Sequence, residues 1–187
     1  MKSLILVKHS LPHVVKNIPA CEWHLSDEGR MRAQLLAKRL ESYQPEIIVS
    51  SREPKAMETA EIVASSLKLP THAVEDLHEH DRSEPAYLAR DEFELAVQEF
   101  FNKPDKLVFG NETADQAHQR FSRAIYALLK EYPNQTITVV VHGTVISLFV
   151  SRLTGTSDFL LWNELGLPSF VVLDMQSKNL SAKESIC

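Results

Sequence analysis

Apolar and polar positions fall into blocks along the chain, and the blocks change period in a regular order. Ser3 to Val7 is a short apolar run of the kind a buried strand shows. After a polar, proline-punctuated stretch, Ser26 stands where it can cap a helix, with Asp27 and Glu28 in the first turn. Ala33, Leu36, Ala37 and Leu40 then recur at helical spacing. Glu46 to Val49 reads as the next strand. A second helix follows, with Pro54 near its first turn and Ala56, Thr59, Ala60 and Val63 on one face. Thr71 to Val74 is a further short strand candidate. Residues 82–110 are charged and irregular apart from a helical patch around Phe93, Val97, Phe100 and Phe101. A long helix is predicted from about Asp115 to Tyr132, with Ala117, Phe121, Ala124 and Leu128 in register. Thr136 to Val141 is β-branched and almost continuously apolar, as expected of a central parallel strand. Gly143 to Leu153 reads as a largely buried helix, and Ser169 to Leu173 as a final strand.

Strands alternating with helices predict an α/β fold, a three-layer sandwich around a mainly parallel sheet. No repeat or linker divides the chain, so one domain over residues 1–187 is expected, with residues 82–112 as an insertion that forms part of the site rim. In such sheets ligands bind beyond the carboxyl ends of the strands. His9, Lys55 and His142 each lie just past a predicted strand and should converge on one sheet edge. Helices starting near Pro54 and Gly143 would add free N–H groups there, a second source of anion affinity.

Composition narrows the chemistry. The chain has 187 residues, 20 basic and 25 acidic, for a net charge of −5. That balance argues against non-specific nucleic-acid binding, which needs a basic field. With only five glycines, neither a P-loop nor a G-x-G-x-x-G cradle occurs, so any phosphate must be held by side chains. Cys21 and Cys187 have no paired spacing and form no disulfide framework, which fits a reducing, cytoplasmic setting. The apolar run at Leu4 to Val7 is stopped by Lys8, too short for a signal-peptide core, and no stretch approaches a membrane span. Nothing in the pattern specifies an oligomeric state.

Five ordered blocks carry a resemblance. Leu6-Val7-Lys8-His9-Ser10 resembles the L-V-R-H-G opening of the histidine phosphatase superfamily, the phosphoglycerate-mutase-like fold. Leu25 to Arg30 resembles its L-[ST]-x-x-G-R helix start, and Ser50 to Ala60 its S-S-x-x-x-R-A-x-x-T-A block. Leu77-His78-Glu79 resembles the L-x-E acid segment, and Val140 to Gly143 the V-x-H-G block. The resemblance implies a phosphomonoester hydrolase in which His9 attacks phosphorus and carries the phosphoryl group. It implies that His142 binds the transferring oxygens and that Glu79 is general acid, then base. Metal and cofactor are not part of this chemistry, and the partner it implies is a small phosphorylated substrate. Lys8, Lys55 and a protonated His142 would supply the cationic charge that a phosphoryl transition state needs. A mutase of the same fold and a phospholigand-binding module are the alternative functions.

Departures from the family pattern fall inside the site. Both phosphate-gripping arginines are lysines here, Lys8 and Lys55, which keep the charge and lose the planar fork. The glycine after the nucleophile is Ser10, which either keeps an ordinary backbone conformation or donates its hydroxyl to phosphate. Arg82 is expected to restore one guanidinium, and Gly143 to bring backbone N–H groups to the phosphate. His78-Glu79-His80-Asp81 invites a binuclear metal reading, but that motif needs an acid at position 82 and a histidine at 83, where Arg82 and Ser83 stand. Glu112-Thr113 resembles the family's G-E-S segment or is a helix-start acid. Phe93, Phe100 and Phe101 form either a substrate-facing lid or the core face of an insertion helix. Leu160, Leu161 and Trp162 are a packing or dimer patch.

Overall fold

A computed structural model describes residues 3–82 and 90–186. Strand β1 (Leu4–Lys8) leads through a long connection to α1 (Asp27–Leu40), then β2 (Ile47–Ser50), α2 (Pro54–Leu67) and β3 (Thr71–Ala73). Helices α3 (Arg90–Asn102) and α4 (Ala114–Glu131) precede β4 (Ile137–Val141) and α5 (Gly143–Thr154). The chain closes with α6 (Asp158–Glu164), β5 (Ser169–Asp174) and β6 (Asn179–Ser185). The strands form one six-stranded sheet in the order β3-β2-β4-β1-β5-β6. β3, β2, β4 and β1 run parallel, and β5 and β6 extend the sheet as an antiparallel pair. The α/β sandwich with a mainly parallel sheet is therefore as expected.

Each face of the sheet has its own core. On one side Ile5, Val7, Ile48, Val140 and Phe170 pack against Leu36, Ala37 and Leu40 of α1 and Ala56, Ala60 and Val63 of α2. On the other, Leu6, Val49, Val139 and Val171 meet Phe121, Ile125 and Leu128 of α4 and Val145, Ile146 and Phe149 of α5. Successive strand residues serve opposite faces, and both faces are covered, so the central strands read as unbroken apolar runs. Local signals fix the helix starts. The Ser26 side chain accepts from Gly29 N at 3.0 Å, Pro54 occupies the first turn of α2, and Thr113 with Gln116 closes a capping box on α4.

Two elements escape the sequence pattern. Ser169–Asp174 is not the final strand: β6 pairs with it as a sheet edge. β6 has polar residues at most positions and alternates between exposed and half-buried, so it lacks the apolar run that marks a core strand. The patch at Leu160 to Trp162 lies on α6, a short helix capped by Ser157, with Leu161 buried in the main core. Trp162 joins a third cluster in which Val97, Phe100 and Phe101 of α3 are buried against Ala114, Ala117 and Leu148. The aromatic patch of α3 is therefore a core face. Residues 83–89 of the expected rim insertion lie outside the described residues. No helix among the described residues is long and apolar enough to cross a membrane.

Candidate active site

The sheet brings the two blocks that end in histidine side by side. Lys8 of β1 pairs with Val141 of β4, and His9 N donates to Val141 O at 2.9 Å. The rings of His9 and His142 then meet edge to face, with centroids 5.2 Å apart. Ser50 pairs with Val140, so Ser51 arrives beside His142, its Oγ 2.7 Å from His142 Nε2. These contacts follow from register alone, and they place three sequence-distant blocks at one sheet edge.

The proton on His9 is fixed by its partner. Nδ1 lies 2.8 Å from Ser10 O, which can only accept, so Nδ1 carries the hydrogen and Nε2 keeps its lone pair. Burial holds the His9 pKa well below the ordinary imidazole range, and His142 and Lys55 depress it further. The ring is thus a neutral imidazole with a free lone pair. Ser10 itself donates its hydroxyl to Gly29 O at 2.7 Å and its amide to Thr59 Oγ1 at 3.0 Å, and its φ is not in the left-handed region. The expectation that Ser10 gives its hydroxyl to phosphate is not met in this geometry; the residue ties the nucleophile loop to α1. Gly29 is obligatory there, since a Cβ would stand 2.1 Å from Leu11 O.

His142 differs from expectation. Burial, then Lys55, push its pKa well below the usual value, which favours a neutral ring and not the imidazolium expected from sequence. Its Nε2 faces Ser51 Oγ and, at 3.3 Å, Glu53 Oε1. Its Nδ1 is buried with no hydrogen-bond partner among the described residues.

Both lysines reach the site already engaged. Lys8 Nζ donates to Leu165 O at 2.7 Å, and burial lowers its pKa to about 8 against the opposing pull of Glu79. Gly143 leaves room for this side chain, because a Cβ there would lie 3.3 Å from Lys8 Nζ. Lys55 is 5% exposed and donates to Ala20 O and, at 2.5 Å, to Glu53 Oε2. Glu53 also accepts from Glu79 N at 2.8 Å. This buried carboxylate is absent from the sequence reading, where it fills an unspecified motif position.

Glu79 occupies the helix end that was expected to greet phosphate. Its Oε2 accepts from Thr144 N at 3.1 Å and its Oε1 from Val145 N at 3.3 Å and His80 N at 2.9 Å. Gly143 thus opens a helix whose first amides hold this acid. Burial by itself raises the Glu79 pKa; Arg82, His142 and the backbone donors outweigh it and leave the carboxyl below its usual value. Arg82 reaches within 3.9 Å of Glu79 Oε2 while its guanidinium lies 4.8 Å above the Phe93 ring. Glu53, Lys55, Glu79, Asp81, Arg82 and Cys21 line a cavity of about 300 Å³ with His78 and His80, and Glu53 on its wall reaches His142 Nε2 at 3.3 Å. A larger open groove of about 450 Å³ lies at Gln44, Pro45 and Leu69, at the opposite end of β2, away from this chemistry.

A second arginine shapes the acid loop from behind. Arg120 of α4 donates to the carbonyls of Asp76 at 2.9 Å, His78 at 3.0 Å and Glu79 at 3.1 Å. It also pairs with Glu112 Oε1 at 2.6 Å, and that oxygen accepts from Asp81 N at 3.0 Å. Glu112 is therefore an anchor for the loop as well as a helix-start acid. His80 is a structural histidine, 2% exposed, its ring tilted against Phe100 at 4.2 Å with Nε2 donating to Glu112 O. Arg120→Met strands Glu112 and three carbonyls in a buried setting, so denaturant unfolding is expected to show a loss of about 3 kcal/mol. An unchanged midpoint would show that the loop is held by other contacts.

Solved structures share this architecture. A phosphoserine phosphatase of Entamoeba histolytica, in complex with 3-phosphoglyceric acid, matches with a TM-score of 0.80 at 20% identity, covering 99% of this chain and 98% of that one. A mycobacterial glucosyl-3-phosphoglycerate phosphatase complexed with VO3 matches at 0.78 and 19% identity, covering 99% and 100%. Together they define the phosphoglycerate-mutase-like α/β fold. The chain belongs to the histidine phosphatase superfamily (branch 1), whose family model matches residues 6–185. Among curated proteins it is 24% identical over 131 residues to the uncharacterized phosphatase PhoE of Bacillus subtilis, covering 70% of this chain. It is 30% identical over 136 residues to phosphoglycerate mutase-like protein 4 of Arabidopsis thaliana, covering 68% of this chain. The matched regions span 65% and 59% of those relatives' own lengths.

Proposed function

We propose that the protein hydrolyses small phosphomonoesters through a phosphohistidine on His9. The observation that carries this reading is the tautomer of His9: a neutral ring with Nδ1–H spent on Ser10 O and a nucleophilic Nε2. In the first step Nε2 forms a bond to phosphorus as the ester oxygen leaves, and Glu79 gives that oxygen a proton. In the second, water attacks phosphorus, Glu79 takes its proton and the N–P bond breaks. Because the surrounding donors hold the Glu79 pKa below its usual value, its proton arrives with the ester, whose second ionisation lies at about pH 6. Lys8, Lys55, Arg82 and His142 stabilise the equatorial oxygens, with Gly143 giving the Lys8 ammonium its clearance. A cytoplasmic setting fits this substrate class. Family membership supports phosphatase chemistry, and structural neighbours hold 3-phosphoglyceric acid and inorganic phosphate.

The lysines give the reading a pH signature. Lys8 is charged below about pH 8 and neutral above it, while inorganic phosphate, which brings no proton for Glu79, is a dianion above that point. Phosphate affinity is therefore expected to fall by about tenfold per pH unit above that point, and Lys8→Arg to flatten the fall. Inhibition by inorganic phosphate across about pH 7 to 9.5 checks this. An affinity that does not change with pH would remove Lys8 from the anion site.

Phosphate release against isomer formation, over a panel of sugar, nucleotide and three-carbon phosphates, tests the function itself. Release in excess of isomerisation is expected. Isomer formation without release favours a mutase, and binding with neither favours a phospholigand module.

A further inference from the structure

Glu53 is the feature of the site that the phosphatase chemistry does not absorb. It precedes Pro54 at the start of α2, yet its side chain makes no cap hydrogen bond to that helix. It turns inward and is 7% exposed. Oε2 accepts from Lys55 Nζ at 2.5 Å, while Oε1 accepts from Glu79 N at 2.8 Å and lies 3.3 Å from His142 Nε2. One carboxylate therefore touches a phosphate-site cation, the backbone of the acid residue and the second histidine. A buried anion beside an anion-binding site opposes its function unless it has a task.

The contacts define that task. A carboxylate at Nε2 favours the hydrogen on that nitrogen, shared with Ser51 Oγ at 2.7 Å. The remaining ring nitrogen of His142, Nδ1, is buried without a partner among the described residues. In that tautomer Nδ1 is a bare lone pair, which repels a phosphoryl oxygen. It becomes a donor only by gaining a proton, and Glu53 is placed to neutralise the imidazolium that results.

Charge counting agrees. Around the inner site Lys8, Lys55 and Arg82 face Glu53 and Glu79, a balance of one positive charge against a dianionic ligand. Lys55 is the strongest charge opposing a charged His142, with Arg82 and His78 on the same side and the His9 ring packed edge to face; Glu79 favours the charged form, and Glu53 Oε1 lies 3.3 Å from its Nε2. Asp81 and Cys21 line the cavity as well. Asp81 is engaged by Asn111, and nothing places Cys21 against the His142 ring.

We propose that Glu53 is a positioning residue that couples anion binding to uptake of one proton, held at His142 Nδ1. The proton comes from solvent, Nε2–H stays with Ser51 and Glu53, and the new Nδ1–H donates to the bound anion. This inference rests on the reading of the site as a phosphoryl-binding site, and it assigns a role to a residue outside the motif blocks.

Tungstate is a suitable probe, being a tetrahedral dianion that carries no proton near neutrality. Calorimetry at about pH 7 in two buffers of different ionisation enthalpy reads proton uptake directly. The unmodified protein is expected to take up about one proton per tungstate, with affinity rising as pH falls. Glu53→Gln keeps the shape and is expected to lose most of that uptake and the pH slope with it. Glu53→Asp keeps the charge and should keep the uptake; this second variant decides the matter if Glu53→Gln does not fold. Full uptake in Glu53→Gln, or an affinity loss equal at every pH, overturns the proposal, because a merely structural role behaves that way. Tungstate binding with normal coupling but no phosphate release from any ester defeats the hydrolase reading and leaves the coupling standing. Failure of the unmodified protein to bind tungstate defeats both.

Discussion

Phosphate release is expected to fall by about four orders of magnitude or more in His9→Ala, with anion binding preserved. Among the described residues the His9 ring has one hydrogen-bond partner, Ser10 O, and its other contact is the edge-to-face packing on His142. Its backbone amide, which anchors the loop to Val141 O, survives the substitution. The cations that would grip phosphate are Lys8, Lys55 and Arg82, and their oxygen partners include Leu165 O, Ala20 O, Glu53 and Glu79, with no hydrogen bond to His9 among the described residues. What disappears is the lone pair on Nε2. Electrostatic stabilisation alone leaves a residual rate well below the covalent route. Turnover and tungstate binding measured on the same preparation separate the two effects. Turnover within tenfold of the parent protein would remove His9 as nucleophile.

Glu79→Gln is expected to show an effect that depends on the leaving group. Proton transfer to an alkoxide leaving oxygen contributes about 10²- to 10⁴-fold, whereas a nitrophenolate leaves without help. Alkyl phosphates should therefore lose about three orders of magnitude and nitrophenyl phosphate far less in its first step. The substitution also has a structural cost. Both Glu79 oxygens accept backbone N–H groups at the start of α5, and a glutamine amide presents one NH₂ to them. A stability loss of about 1–3 kcal/mol is expected with the catalytic one. Equal losses in kcat/KM, which reports the first step, for both ester types would show that the residue only shapes the loop. Steady-state kinetics with the two ester classes, beside a thermal melt, distinguishes these outcomes.

The geometry explains which features could be read from sequence. The histidine-bearing blocks follow β1 and β4, whose β-branched and apolar runs are unambiguous, so their convergence follows from strand pairing. The starts of α1 and α2 were legible because Ser26 and Pro54 use ordinary end chemistry, whereas the Thr113–Gln116 capping box that opens α4 was not read from the sequence. Glu53 was not, although its position carried a weak signal: glutamate is a poor residue for a helix N-cap, so it needed a reason to stand there. Arg120 was equally legible in retrospect. It lies three residues after Ala117 and one before Phe121, on the core face of α4, where a charged group must find partners. β6 had no such signal, being polar and at an edge. The charge state of His142 was beyond sequence altogether, because burial and Lys55 set it together.

Rapid quench of the protein with a labelled phosphomonoester tests the central claim most directly. Label that is stable to base, lost in acid and confined to the peptide carrying His9 is the expected result, and its formation should be no slower than turnover. Steady phosphate release with no trapped label, or label on a different residue, would contradict a phosphohistidine at His9.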